Sequence, residues 1–101
     1  DFYERLKEDY PDDYEIYQDL GIAYGYAGNL SLSIDNLKKA ISLHPTPVAY
    51  YNLVVGLKRV GSIQEAIHYL KLYLGNTEGE DERRIRAAQQ ELIALEKLLR
   101  K

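Results

Sequence analysis

His44 and His68 are the two residues best able to ligate a metal or move a proton, and they lie 24 positions apart. A metal pair on one helix needs histidines three or four residues apart, and neither His-x-x-x-His nor Glu-x-x-His occurs, so no metal site is expected. The chain has no cysteine, which removes thiolate nucleophiles, thiolate ligands and disulfides together. A serine nucleophile would call for a Gly-x-Ser-x-Gly elbow, which is absent. The carboxylates Asp12–Asp13 and Glu80–Asp81–Glu82 stand where helices are about to begin, and the helix dipole accounts for them. Asn29–Leu30–Ser31 matches a glycosylation sequon, but a capping role for Asn29 explains it without secretion. Arg83, Arg84 and Arg86 could meet phosphates, yet interleaved glutamates make them read as a solvated face. The expectation is a chain without a catalytic site or cofactor.

One stretch asks for more. In "YQDLGIAYGYAG", Tyr17 to Gly28, glycines stand at 21, 25 and 28 inside an apolar helical run. Each interior glycine costs a helix about 1 kcal/mol relative to alanine. A phosphate-cradling loop would follow a strand and lead into a helix, often with a lysine; no strand signal precedes these glycines and Tyr26–Ala27 sit among them. The better reading is close helix packing. Gly21 lies on the inward face opposite small Ser33 and Ala40, Gly28 ends the helix, and Gly25 leaves room on the opposite face.

The elements that position these residues follow from composition and period. A length of 101 residues suits one domain with a modest core. Ten tyrosines against one phenylalanine and no tryptophan favour surfaces that are apolar in body and polar at the tip. The net charge is −3, with eight acids and two bases in residues 1–20 and five bases against Glu65 in residues 38–73. An acidic start argues against a nucleic-acid partner. No apolar run approaches the roughly 18 residues of a membrane span and no signal segment is present, so a soluble chain is expected, with a cytoplasmic location favoured. Absence of methionine suggests a processed chain or a fragment of a larger protein.

A shift of 33 residues superposes Tyr17 on Tyr50, Leu20 on Leu53, Gly28 on Gly61, Ile34 on Ile67 and Leu37 on Leu70. Pro11 and Pro45 give a second ruler of 34 residues. Each unit reads as a helix pair. Ile16, Leu20, Ala23, Tyr24 and Ala27 recur at three- and four-residue steps. Gly28 and Gly61 mark helix ends, Asn29 and Ser62 mark starts, and Ser62 with Glu65 has capping-box spacing. Thr46–Pro47 is an N-cap followed by proline at the first helical position. The spacing predicts helices near 2–10, 14–27, 30–43, 47–60, 63–74 and 81–100, with short loops and antiparallel neighbours.

This pattern resembles the tetratricopeptide repeat. One unit carries Tyr17, Leu20–Gly21, Tyr24, Gly28, Ser33, Leu37, Ala40 and Pro45; the next carries Tyr50, Leu53, Leu57, Gly61, Ala66 and Leu70. It departs at Val54 and Tyr73, where small residues are usual, and lacks a closing proline. The resemblance spans about residues 2–78. It implies an all-α, antiparallel helix-pair solenoid, a right-handed superhelix: a single domain holding a partial repeat (1–11), two repeats (14–45 and 47–78) and a longer C-terminal capping helix (80–101). It further implies a non-catalytic scaffold that binds a peptide or protein partner in a concave groove. Helical geometry sends Glu15, Gln18, Ile22 and Tyr26, then Val48, Tyr51, Asn52, Val55, Lys58 and Arg59, off the packing face and toward that groove. An acid on the partner could meet Arg59. The family's chaperone-tail clamp uses lysine and asparagine on one groove helix and asparagine on the next; of Gln18, Ile22 and Asn52 only Asn52 agrees, so that clamp is not expected.

The two ends suggest an alternative, a homo-oligomerisation module. Phe2, Tyr3 and Leu6 offer an apolar face on the first helix. The last helix carries a seam of Ile85, Ala88, Leu92, Leu95 and Leu99 with Leu98 beside it, acids at its start and Lys97, Arg100 and Lys101 at its end. Its first half is expected to cover the second repeat while its tail overhangs. Self-association is therefore placed on Phe2, Tyr3, Leu6, Leu92, Leu95 and Leu99.

Overall fold

Capping chemistry sets where four of the helices begin. In the computed structural model, which describes residues 2–100, the helices are α1 (Phe2–Asp9), α2 (Tyr14–Tyr26), α3 (Leu30–Leu43), α4 (Pro47–Arg59), α5 (Ile63–Leu74) and α6 (Glu82–Leu99). Asp1 and Lys101, assigned above to the chain's two ends, lie outside the described residues. The Asp13 carboxylate accepts from the Glu15 amide at 3.0 Å, Asn29 from Leu32 at 3.3 Å, Thr46 from Ala49 at 3.1 Å and Asp81 from Arg83 at 2.7 Å. Each satisfies an amide that the first turn would otherwise leave unpaired. Ser62 departs from expectation: it sits at the N-cap but makes no side-chain capping bond. The reciprocal half of the capping box is diverted as well, the Glu65 carboxylate accepting from the Lys38 ammonium at 2.7 Å.

The 33-residue repeat reappears in the backbone itself. Gly28 and Gly61 adopt φ of 84° and 83°, left-handed values that strain any residue with a Cβ. The following amides then reach back five residues, Asn29 to the Tyr24 carbonyl at 2.9 Å and Ser62 to the Leu57 carbonyl at 2.8 Å. The same helix-ending device is thus used twice, at equivalent positions.

Consecutive helices pack side by side, and no strand occurs among the described residues. The core lies between α3, α4, α5 and α6, where Leu37, Leu53, Leu57 and Leu95 are the largest fully buried side chains. Burying a leucine contributes roughly 1.5–3 kcal/mol. The α2 face is turned from its predicted position. Ile16, Leu20 and Gly21 are buried while Ala23 and Ala27 are exposed, because α2 turns its glycines onto α3. A Cβ on Gly21 would stand 2.5 Å from Leu37 Cγ, so Leu37 and Ser33, rather than Ala40, are the residues it faces. Gly25 also meets Ser33, whose hydroxyl would lie 3.2 Å from a Cβ added at that glycine. That hydroxyl donates to the Gly21 carbonyl at 2.6 Å. The two glycines therefore bracket one serine at a tight helix crossing.

The attachment of α1 is different in kind, since none of its residues is buried. Tyr24 donates to Glu4 at 2.5 Å, Glu4 pairs with Lys7 at 2.8 Å, and Lys7 donates to the amide oxygen of buried Asn36 at 3.2 Å. No helix among the described residues is long and apolar enough to cross a membrane.

Candidate groove between α2, α4 and α6

The exposed face of α4 runs between two adjoining clefts. The larger, about 610 Å³, opens toward α6 and takes Val48, Tyr51, Asn52, Val55 and Lys58 from the predicted set. The smaller, about 220 Å³, opens toward α2 and joins Ile22, Tyr26 and Arg59 to the shared trio Tyr51, Asn52 and Val55. Tyr26 and Tyr51 stand 90% and 71% exposed, so each presents a ring to solvent. Large exposed aromatics beside an apolar floor are what a binding surface requires.

Two predicted residues fall outside. Glu15 is exposed and lines neither cleft. Gln18 is occupied within the chain, its side-chain oxygen accepting from the Thr46 hydroxyl at 2.6 Å; a cap that needed orienting takes up that amide. Lys58 is present but not free, because it is ion-paired with Glu91 of α6 across the larger cleft. Asn52 spends one N–H on the Val48 carbonyl at 2.9 Å, leaving its oxygen for another group.

The self-association set divides. Leu95 is 2% exposed and belongs to the core, and Leu92 packs against it. The α6 seam is therefore spent inside the chain as far as Leu95, further than the predicted half-helix. Pairs from Lys58 to Glu91 and from Lys71 to Glu96 flank it. Leu6 is half-buried. Phe2, Tyr3 and Leu99 remain exposed, as does Leu98.

Sequence reasoning misses the α6 side of the larger cleft. Arg84, Ala87, Ala88 and Glu91 line it, and Arg84 is thus more than part of a solvated face. A signal for it exists in the repeat: adding 33 to Tyr51, Val54, Val55 and Lys58 reaches these four positions. Beneath them, the Tyr50 and Tyr73 rings meet at 5.8 Å, and Tyr73 donates to Glu80 at 2.9 Å. Burial pushes both hydroxyls above the ordinary tyrosine value, and for Tyr73 the bond to Glu80 adds to it. Both are held neutral, and Tyr73 is a donor.

Both histidines are exposed and away from this furrow. His44 stacks on Tyr14 at 4.5 Å, and His68 meets Tyr69 edge-on at 5.2 Å. Among the described residues the only carboxylate lining either cleft is Glu91, already paired with Lys58. The arrangement offers apolar surface, exposed rings and cations, which serve recognition.

No protein-family model matches the chain, and no curated protein matches it.

Proposed function

We propose that the chain is a non-catalytic protein-binding scaffold of the tetratricopeptide kind, taking a peptide or protein segment along the furrow over α4. The observation that carries this reading is the joining of two clefts through Tyr51, Asn52 and Val55. A segment lying there would cover both exposed rings and run from α2 to α6. The repeated helix ends at Gly28 and Gly61 support the solenoid part of the reading.

The test is selection of dodecapeptides from a displayed random library, followed by titration of the selected peptides. Binding that weakens about tenfold or more in Tyr51→Ala, with helicity retained, supports the reading. Selected peptides indifferent to Tyr51 overturn it. A second reading, self-association, draws on Phe2, 70% exposed, and Leu99, 48% exposed. Light scattering that shows the monomer mass of 11.7 kDa at every concentration removes it.

A further inference from the structure

We propose that the furrow selects an acidic peptide with a bulky apolar anchor, the anchor seated between α4 and α6 and its carboxylates meeting Arg84 and Arg59. This inference rests on the groove reading above and adds the chemistry of the occupant.

Charge is the first argument. The described residues lining the two clefts include three cations, Lys58, Arg59 and Arg84, against the single acid Glu91. The whole chain carries −3, so the furrow is a positive strip on a negative molecule. Glu91 neutralises Lys58. Two of the acids just before α6 are committed too: Glu80 accepts from Tyr73 at 2.9 Å, and Asp81 holds the Arg83 amide at 2.7 Å and its guanidinium at 3.2 Å. Arg84 and Arg59 form no salt bridge among the described residues. Each is a planar five-donor group able to hold a carboxylate in two-pronged fashion.

Shape is the second. Where α4 presents Val54 and Val55, α6 presents Ala87 and Ala88 between Arg84 and Glu91. That step from large to small opens a cavity of about 610 Å³ with the Tyr50 and Tyr73 rings beneath it. An aromatic or leucine side chain entering there loses its apolar surface to an already formed pocket.

The probes are three fluorescein-labelled decapeptides: one of glutamates around a central Phe-Leu pair, one with lysine for every glutamate, and one acidic with Ser-Ser for Phe-Leu. Anisotropy with the full chain is expected to show the first binding and the other two about tenfold weaker or worse. Arg84→Glu and Ala87→Phe, both at exposed positions, should each weaken the first peptide about tenfold, with unchanged circular dichroism. Equal binding of the lysine peptide, or indifference to Arg84→Glu, overturns the acidic preference; the groove reading then stands if Tyr51→Ala still abolishes binding. No binding by any of the three also overturns it. If library selection likewise yields nothing dependent on Tyr51, the groove reading falls with it.

Discussion

Replacing Gly21 by alanine tests whether the chain accepts a costly residue in α2 for the sake of close approach to α3. The added Cβ would lie 2.5 Å from Leu37 Cγ, 2.7 Å from Leu37 Cδ2 and 3.2 Å from the Ser33 carbonyl oxygen. Leu37 is 0% exposed and has nowhere to retreat, so the helices must part. Overpacking of this kind costs about 1–3 kcal/mol. Parting also stretches the buried Ser33–Gly21 bond, worth about 1 kcal/mol. Against these, alanine gains about 1 kcal/mol of helix propensity. The net is a loss of about 2 kcal/mol, or roughly 8–16 °C in Tm for a domain of this size. Urea unfolding at constant m-value measures it. Gly25→Ala is the control, since its Cβ would meet a single side-chain oxygen at 3.2 Å and shares the propensity gain. Its effect should be smaller. A Gly21→Ala variant as stable as the parent, or one no worse than Gly25→Ala, refutes the close-approach account.

Leu95→Ala should cost about 2–5 kcal/mol, because Leu95 is the α6 residue buried in the shared core; hydrogen exchange should show α6 losing protection first. Thr46→Ala should cost about 1 kcal/mol or more, since its hydroxyl both caps Ala49 and donates to Gln18. Ser62→Ala should cost well under half of that, because Ser62 makes no capping bond; thermal melts rank the two. The carboxyl of Glu4 is held below its ordinary value by hydrogen bonds from Lys7 and then Tyr24. A carboxylate with a lowered folded pKa contributes stability above its unfolded value of 4.5 and loses it as pH falls through the folded one. Protection factors of the α1 amides, corrected for the intrinsic pH dependence of exchange, should therefore fall below about pH 4.5 before those of α4, and Tyr24→Phe should flatten the difference.

The helix starts and ends are legible in the sequence because they are local. A left-handed glycine, an asparagine cap or a Thr-Pro pair acts within one turn, and Gly28, Asn29 and Thr46–Pro47 do what their types suggest. What periodicity cannot settle is decided across helices. Ser62 and Glu65 have the spacing of a capping box, but Lys38 lies 27 residues upstream and wins the glutamate. Gln18 points off the packing face as expected, then is taken by a threonine 28 residues away. A helical wheel puts Leu95 on an outer seam because it shows only that a face is apolar; burial in the α3–α5 core shows what covers it. Lys58 is legible as a groove cation, while its neutralisation by Glu91 depends on where α6 comes to rest.

That resting place ties the repeat to the groove. α6 lacks the tyrosine and leucine that the earlier units share at Tyr17 and Leu20 and at Tyr50 and Leu53, yet it lines the furrow at positions one period beyond those of α4. The positions are kept while the residue types change: Tyr51 gives way to Arg84, Val54 to Ala87, Val55 to Ala88 and Lys58 to Glu91. Each change alters the cleft. Alanines in place of valines remove floor and leave space, a glutamate in place of lysine supplies the partner that neutralises Lys58, and an arginine in place of tyrosine adds a cation that forms no salt bridge among the described residues. A third helix that simply repeated α4 would set valines against valines and lysine beside lysine, filling the cleft and crowding like charges. The divergence of α6 from the repeat is therefore what leaves the cleft open and moves its unpaired cation from Lys58 to Arg84.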